Sequence, residues 1–188
     1  MNNSQEIRYG PAKKSDIQGV MNCMQANLFD NLDNKDNGRL YYPVSEKEFG
    51  ELIQDPNIIF FCAKQGNYIK GYALGYNLKK WILKKQTRMD DIQVSQEIRK
   101  IIENKKTFYR RHVAIHPDHQ GNGISKGLEL STFQEAKKQG YEYIVAEIMK
   151  KPIENIQSLQ VHKKIGLKNI GEISYEDLTT RYLLRMKI

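Results

Sequence analysis

Apolar and polar residues follow one another along the chain in two rhythms, one typical of helices and the other of strands. Four segments with apolar residues every three or four positions are predicted helices: residues 14–29, 45–54, 124–140 and 154–166. Seven short apolar runs are predicted strands: residues 6–10, 57–64, 69–78, 107–115, 141–149, 167–175 and 180–188. This order predicts a mixed α/β fold with one β-α-β crossover.

A long insertion, over about residues 82–106, separates the third and fourth predicted strands. Val94, Ile98, Ile101 and Ile102 in it fall on one helical face, which predicts a helix. Connections of this length are usually lids or ordered helices. Two interpretations of the insertion therefore remain: a lid, and a helix that only packs on the surface. No repeat or linker interrupts the chain, so a single domain is predicted over residues 1–188.

The composition is that of a soluble globular protein. Of 188 residues, 39% are hydrophobic and 28% are charged, and no apolar run approaches the roughly 18 residues of a membrane span. The first ten residues lack the pattern of a secretory signal. Cys23 and Cys62 stand among apolar neighbours, which predicts buried thiols in a reducing compartment. We therefore predict a cytoplasmic protein without a membrane partner.

The net charge is +8, and a positive field attracts anions that range from nucleic acid to a polyphosphate cofactor. The basic stretch KKWILKKQTR, residues 79–88, contains Trp81, which could stack on a base. A nucleic-acid-binding module is therefore one alternative function. Aromatic residues are not interleaved with the lysines as they are in RNA-binding sheets, so the sequence does not favour nucleic acid as a partner.

The string HPDHQGNGISKGL, residues 116–128, is called the glycine loop here; it joins a predicted strand to a predicted helix. The first backbone N–H groups of a helix have no acceptor within the helix, so they form a general anion site. The string GxxxxGK[ST] of a P-loop is absent from the sequence. The dinucleotide pattern GxGxxG fails because Lys126 stands where the third glycine belongs.

VAIHPDHQGNGIS resembles the acyl-CoA-binding motif of the GNAT superfamily of N-acetyltransferases. An apolar strand is followed by a proline and then by Q/R-x-x-G-x-G/A, with Gln120, Gly123 and Ser125 at the defining positions. Ser125 departs from the Gly or Ala of the family. NIQSLQVHKKIGL resembles the second motif of the family, with these residues in register: Asn155, Ser158, Val161, Lys164, Gly166 and Leu167. The resemblance implies a GNAT-like, mostly antiparallel central sheet of about seven strands, with helices on both faces and an acyl-CoA-binding β-α-β crossover.

The resemblance also implies acetyl-CoA as co-substrate, from which an acetyl group passes directly to a primary amine. The pantetheine arm would lie along Val113, Ala114 and Ile115, and one of their N–H groups would polarise the thioester carbonyl. The family pattern assigns the pyrophosphate to these residues: Gln120, Gly121, Asn122, Gly123, Ile124, Ser125 and Lys126. Asn155 and Ser158 would contact the cofactor from the following helix.

The candidate catalytic residues are His162, Glu147 and Tyr109. The family usually has a proton-donating Tyr where His162 stands. Two interpretations of His162 are open: a proton donor near neutral pH, and a surface residue beside two lysines. Family members often place a base near Tyr109 and Arg111, although a phenol is a poor base. Glu147 is the first choice for the base, and an edge carboxylate paired with a lysine is the alternative.

Several alternatives stay open. A GNAT-like protein that binds coenzyme A without catalysis is one. A metal site of His112, His116 and His119 is not favoured, because their spacing on a strand and loop does not bring them together and no cysteine completes the set.

The acceptor is predicted to be a small-molecule or peptide amine, with residues 31–44 and the insertion shaping its side of the protein. A homodimer through the C-terminal strands is expected from the family.

Overall fold

The computed structural model describes residues 6–28, 40, 42–78, 96–103, 106–175 and 179–188. Predictions for residues 29–39, for Tyr41 and for the stretch 79–95, which includes Trp81, lie outside the described residues. Among the described residues, no helix is both long and apolar enough to cross a bilayer.

Seven strands form one mixed sheet, in the order β1-β2-β3-β4-β5-β7-β6. Their bounds are Arg8–Pro11 (β1), Ile58–Gln65 (β2), Tyr68–Asn77 (β3), Thr107–Ile115 (β4), Tyr143–Lys151 (β5), Lys168–Ser174 (β6) and Thr180–Lys187 (β7). Strand β4 pairs with β5 in parallel, whereas β1 with β2, β5 with β7 and β6 with β7 pair antiparallel. The predicted fold class, an α/β protein with a mostly antiparallel seven-stranded sheet, is confirmed.

Five α-helices connect these strands within the described residues. Their bounds are Ile17–Gln25 (α1), Glu46–Gln54 (α2), Gln96–Glu103 (α3), Ile124–Lys138 (α4) and Ile156–Lys164 (α5). The predicted first helix is shorter than residues 14–29, because a 3-10 turn precedes α1 and the helix ends at Gln25. Helix α2 begins as predicted, since the Ser45 side chain accepts a hydrogen bond from the Glu48 N–H at 3.1 Å. Helix α3 is the predicted helix of the insertion.

The chain divides into two compact units. Unit 1 comprises Met1–Lys35, Arg39–Leu74 and His112–Glu135, and unit 2 comprises Asp36–Gly38, Gly75–Arg111 and Ala136–Ile188. Strands β3 and β4 contribute residues to both units. The single domain expected over residues 1–188 stays a prediction.

The core of unit 1 anchors both ends of the glycine loop. Ile115 at the end of β4 and Ile124 at the start of α4 are buried in one apolar cluster, together with Leu128. Gly127 lets the first turn of α4 approach β1, because a Cβ at this position would overlap the ring of Tyr9. The loop is therefore fastened by apolar contacts on either side of its glycines.

Both cysteines lie buried in unit 1, as predicted. Burial raises the pKa of the Cys23 thiol to about 12. Burial, with the Asp16 charge as a smaller cause, raises the pKa of Cys62 to about 12. Because the thiolate is the reactive form, both side chains act as small apolar residues in the core.

In unit 2, β5 has different neighbours along its length. The ladder of β4 with β5 covers four pairs, from Thr107 opposite Tyr143 to Arg110 opposite Ala146, and ends there. The antiparallel ladder of β5 with β7 continues to Lys151. Glu147 is thus the first residue of β5 beyond its ladder with β4.

Candidate active site

The glycine loop holds two residues in left-handed backbone conformations. Gly121 has φ +80° and Gly123 has φ +74°, values that strain any residue with a side chain. Both are exposed, and a Cβ added to either would meet no atom within 4 Å. The glycines therefore meet a backbone requirement, and the space outside them is open to a ligand.

The start of α4 presents backbone N–H groups beside these glycines. The helical ladder begins where the Gly127 N–H donates to the Gly123 carbonyl at 3.3 Å. The N–H groups of Ile124, Ser125 and Lys126 precede this bond, so they have no acceptor within the helix and lie at its positive end. Ile124 turns its side chain into the core, Ser125 is half-buried and Lys126 is exposed. This arrangement suits a phosphate or another anion.

The side chain of Gln120 is turned back toward the protein. Its Nε2 donates to the carbonyl of Ile115 at 3.2 Å and to Oδ1 of Asn27 at 3.3 Å. Asn27 is buried and donates from Nδ2 to the carbonyls of Ile115 at 3.0 Å and Cys23 at 2.8 Å. Gln120 thus holds the glycine loop to the end of β4. Sequence reasoning missed Asn27, since nothing near residue 27 signals a contact with residue 115.

The backbone of β4 carries side-chain contacts where the pantetheine arm is predicted. The carbonyl of Ala114 accepts a weak hydrogen bond from the Cys23 Sγ at 3.6 Å, and that of Ile115 accepts from Asn27 and Gln120. Val113 is half-buried and packs against the unit 1 core. These carbonyls are engaged within the protein, so the N–H groups are the backbone atoms to consider for a ligand.

Unit 2 contains a buried polar group, called the Glu147 cluster here, which consists of Tyr109, Glu147, Tyr175 and Arg181. The Glu147 side chain is 2% exposed, and its Oε2 lies 2.9 Å from an NH1 nitrogen of Arg181. Its Oε1 is buried and accepts no hydrogen bond of good geometry among the described residues. The Tyr175 hydroxyl is close enough to this carboxylate that a hydrogen bond between them contributes to the raised pKa of the phenol. A buried carboxylate oxygen with so little hydrogen bonding is costly, so it marks a place where a proton or a donor can bind.

Burial and charge fix the ionisation of the residues around Glu147. Burial, and secondly the Glu147 charge, raise the pKa of Tyr109 and that of Tyr175 well above the usual range. Burial, the largest single cause, lowers the pKa of Arg181, but the charge and hydrogen bond of Glu147 together with Tyr109 and Tyr175 outweigh it, so the pKa rises. At neutral pH the cluster therefore has two neutral phenols beside a charged guanidinium.

The predicted proton donor, His162, lies in unit 2 in contact with Arg110. It is buried, so the alternative of a surface histidine beside two lysines is wrong. Its Nδ1 lies 2.5 Å from the carbonyl of Ser158, one turn earlier on α5, and its Nε2 is hydrogen-bonded to Arg110. A guanidinium only donates, so Nε2 accepts and Nδ1 carries the proton.

Asn155 and Ser158 begin the same helix. Asn155 is buried at the N-cap of α5, where its Oδ1 accepts from the Ser158 N–H at 3.1 Å. Its own N–H donates to the carbonyl of Met149 at 3.0 Å, which ties the helix to β5. The second motif thus begins with a helix cap, and the Asn155 oxygen is used in it.

Comparison with known families decides the relationship. Residues 27–167, about three-quarters of the chain, match the model of the acetyltransferase (GNAT) family. The chain belongs to the GNAT acetyltransferase family. The match covers both motifs, and the predicted family is confirmed. No curated protein sequence matches this GNAT chain closely enough to count as a relative.

Solved structures share the GNAT fold at low sequence identity. The ribosomal-protein-S18-alanine N-acetyltransferase of Escherichia coli has a TM-score of 0.64 at 14% identity and covers 97% of this chain and 94% of its own. The protein yncA of Salmonella typhimurium, solved with its cofactor acetyl-CoA, has a TM-score of 0.66 at 15% identity and covers 97% and 94%. PaiA N-acetyltransferase of Thermoplasma acidophilum, in complex with coenzyme A, has a TM-score of 0.66 at 11% identity and covers 98% and 100%.

The predicted site residues of this GNAT chain fall into three sets. The loop residues lie together in unit 1, while Glu147 and Tyr109 lie together in unit 2, and His162 is placed with Arg110. Glu147 is not an edge carboxylate paired with a lysine, because β5 is an inner strand and the partner is Arg181. No group of three or more metal-ligating side chains forms among the described residues.

Two residues of these sets had no signal in the sequence. Arg181 lies on β7, two positions from Leu183, which is opposite Glu147 on β5. Side chains two apart on a strand share a face, and this places Arg181 beside Glu147. Arg110 reaches His162 across 52 positions of the sequence. Only the strand register and the packing of α5 bring these pairs together.

Proposed function

We propose that this GNAT protein is an N-acetyltransferase, which transfers the acetyl group of acetyl-CoA directly to a primary amine. The observation that carries the proposal is the pair of exposed, left-handed glycines, Gly121 and Gly123, at the start of α4. When bound, acetyl-CoA supplies an acyl group activated as a thioester. The open space beside both glycines fits a phosphate-bearing ligand that approaches the backbone closely.

The glycine loop binds the pyrophosphate through backbone atoms in this proposal. The N–H groups from Gly121 to Lys126 donate to phosphate oxygens, and the positive end of α4 adds a favourable field. The exposed Lys126 adds a full positive charge, and the Ser125 hydroxyl can donate a further hydrogen bond. Gln120 acts indirectly, since its side chain holds the loop to Ile115 and Asn27.

The remaining cofactor contacts follow from the motif positions. The backbone N–H groups of Val113, Ala114 and Ile115 hold the pantetheine arm, and one of them polarises the thioester carbonyl. Asn155 uses its oxygen in the helix cap, so its amide nitrogen is the atom that donates to the cofactor. Ser158 supports it from the first turn of α5.

Glu147 takes the proton of the attacking amine in this proposal. An alkyl amine with a pKa of about 10.4 is protonated at pH 7, and removal of that proton costs about 4.6 kcal/mol. Arg181 holds Oε2 at 2.9 Å, which leaves Oε1 as the oxygen that accepts the proton. Tyr109 stays a neutral phenol beside the carboxylate and can only donate a hydrogen bond to it.

His162 remains the proposed proton donor to the departing thiolate. Its Nδ1 proton is engaged by the Ser158 carbonyl, and its Nε2 accepts from Arg110. Donation from Nε2 therefore requires that this nitrogen takes up a proton and that Arg110 turns away. The fixed charge of Arg110 is a second means to stabilise a thiolate.

The acceptor is proposed to be a primary amine, either a small molecule or a peptide. One structural neighbour is named for the alanine of ribosomal protein S18, which supports an amine panel that includes a peptide with N-terminal alanine. We also propose that the protein forms a homodimer and that it is located in the cytoplasm.

A thermal-shift titration with acetyl-CoA tests the cofactor site. Acetyl-CoA at ~100 times its dissociation constant should add about 2.7 kcal/mol to the unfolding free energy. Gly123→Glu should abolish this shift, because it strains a left-handed position and places a carboxylate among the phosphate donors. Gly140→Glu is the matched control: Gly140 also has a positive φ, and a Cβ there also meets open space.

Turnover is then measured as thiol release with the amine panel. Stabilisation by acetyl-CoA with turnover supports the enzyme, whereas stabilisation without turnover on any amine favours a coenzyme A-binding protein that lacks catalysis. Stabilisation by nucleic acid and none by acetyl-CoA would overturn the proposal. Acetyl-CoA binding that survives Gly123→Glu unchanged would overturn the role of the glycine loop.

A further inference from the structure

A cleft in unit 1, of about 240 Å³, combines an apolar lining with polar side chains that carry hydrogen-bond donors. Three elements meet at it: α1 contributes Asn22, the β2–β3 turn and β3 contribute Asn67 and Lys70, and the segment after β4 contributes His116 and His119. His119 directly precedes Gln120 of the glycine loop. The cleft and the loop thus share one segment of backbone.

Lys70 supplies the cleft with a positive charge that forms no ion pair within the described part of the chain. Its Nζ lies 2.9 Å from Nε2 of His119 and 5.6 Å from the ring centroid of Tyr68. No carboxylate of the described residues lies within ion-pair distance of this ammonium. An ammonium only donates, so Nε2 of His119 accepts and the imidazole is neutral.

The charges around His119 come from two elements. Burial lowers the pKa of His119, and the charges of Lys70 on β3 and His116 on its own segment lower it further. Asp118 opposes them weakly, and its side chain is 78% exposed. Helix α1 contributes no charge, since it lines the cleft with Gly19 and Asn22.

The amide of Asn22 is oriented as a donor. Its Oδ1 accepts a hydrogen bond from Nε2 of Gln18 at 3.0 Å, which leaves the NH2 group for the cleft. With Lys70, the two histidines and Asn67, donors reach the cleft from three separate elements. Such a convergence suits an anion with several acceptor oxygens.

We propose that this cleft binds a phosphate monoester group. A phosphate monoester carries close to two negative charges at pH 7 and three strong acceptor oxygens, which match a lysine and surrounding neutral donors. Its negative charge pairs with the Lys70 ammonium and favours protonation of His119. The source of the group is either the 3′-phosphate of coenzyme A, which rests on the proposed function, or a separate phosphorylated ligand, which does not.

Proton NMR of the His119 imidazole, assigned with His119→Gln, tests this proposal on the intact chain. The pKa of His119 is measured with and without inorganic phosphate at constant ionic strength, and we expect phosphate to raise it by about one unit. By linkage, binding of the phosphate dianion should strengthen as the His119 imidazole takes up its proton. An unchanged pKa, or the same rise with acetate, would overturn the proposal.

Two variants test the geometry of the cleft. Lys70→Met should weaken phosphate binding at least about tenfold and remove the pKa rise, because a charge-assisted hydrogen bond is lost. Asn22→Asp keeps the size and the bond from Gln18 but adds a repelling charge, so it should weaken binding similarly. Lys163→Met, at an exposed position of α5, is the matched control and should bind phosphate as the wild type does. Equal binding by Lys70→Met and the wild type contradicts the proposal.

Coenzyme A and dephospho-coenzyme A identify the source. If only coenzyme A raises the pKa of His119, the cleft takes the 3′-phosphate of the cofactor. If inorganic phosphate raises it and the two cofactors act alike, the cleft takes a separate phosphate monoester. Either result supports the cleft as a phosphate site, and the phosphate titration stands even if acetyl-CoA does not bind.

Discussion

The glycine loop of unit 1 and the Glu147 cluster of unit 2 present two different kinds of site. The loop offers backbone N–H groups from consecutive residues, and its side chains mainly fasten it to the core. The cluster offers side chains from three strands and the segment after β6, at positions 109, 147, 175 and 181. We therefore expect changes in the loop to impair ligand binding, and changes in the cluster to impair turnover and stability.

Glu147→Gln tests the catalytic side of this contrast. It should lower kcat by about 10²–10⁴-fold, as expected for the loss of a general base. The KM for acetyl-CoA and the thermal shift with acetyl-CoA should not change, because the loop is untouched. Glu172→Gln, an exposed glutamate paired with Lys150 at 2.5 Å, is the control. A kcat within twofold of the wild type would exclude Glu147 as the base.

Arg181→Met tests whether the cluster also supports the fold. It leaves the buried Glu147 carboxylate without its partner, and such a loss costs about 3–5 kcal/mol of unfolding free energy. Glu147→Gln in the same chain should recover part of it, as urea denaturation can measure. Lys150→Met breaks the exposed pair with Glu172 and should cost less than about 1 kcal/mol. Equal losses of unfolding free energy in Arg181→Met and Lys150→Met would contradict the burial of the pair of Glu147 and Arg181.

His162→Gln separates proton donation from packing. Glutamine can still accept the Arg110 hydrogen bond, but it cannot act as an acid near neutral pH. If His162 is the donor, kcat should fall by up to about 10²-fold, as steady-state kinetics can measure. A kcat equal to that of the wild type would assign the donation to water.

Gly121→Ala tests the loop with little added bulk. An alanine at φ +80° costs about 1–2 kcal/mol in unfolding free energy, and relaxation of the backbone should weaken acetyl-CoA binding. Gly10→Ala is the control, because its Cβ meets open space and its φ is not positive. Calorimetric titration of both variants shows the difference. Acetyl-CoA affinity equal to the wild type in Gly121→Ala would contradict the role of the left-handed backbone.

The buried phenols predict a loss of stability at high pH. Folding raises the pKa of Tyr109 and Tyr175, so the native state binds more protons than the unfolded state above pH ~10. Stability is thus complete below pH ~10 and falls above it, by up to about 1.4 kcal/mol per pH unit for each phenol. Tyr109→Phe should reduce the slope, whereas Tyr68→Phe, at a 76% exposed side chain, should not. Equal slopes of stability against pH in Tyr109→Phe and Tyr68→Phe would contradict the assignment of this loss to the buried phenols.

Sequence reasoning found the glycine loop because its chemistry is local. A left-handed backbone favours glycine, and a helix start exposes its N–H groups whatever surrounds it. The same reasoning identified Glu147 only as a carboxylate among apolar residues. It left two interpretations, a catalytic base and an edge carboxylate paired with a lysine. Its partner Arg181 is 34 positions away and is selected by the register of β5 and β7.

The sequence by itself determined the strands, the main helices, the two family motifs and the burial of Cys23 and Cys62. Each depends on periodicity or on residues within a few positions of one another. Only the tertiary structure decided that Gln120 faces Ile115, that His162 is buried against Arg110, and that Lys70 meets His119. These contacts join residues up to 52 positions apart, and strand order and packing, which no local pattern encodes, bring them together.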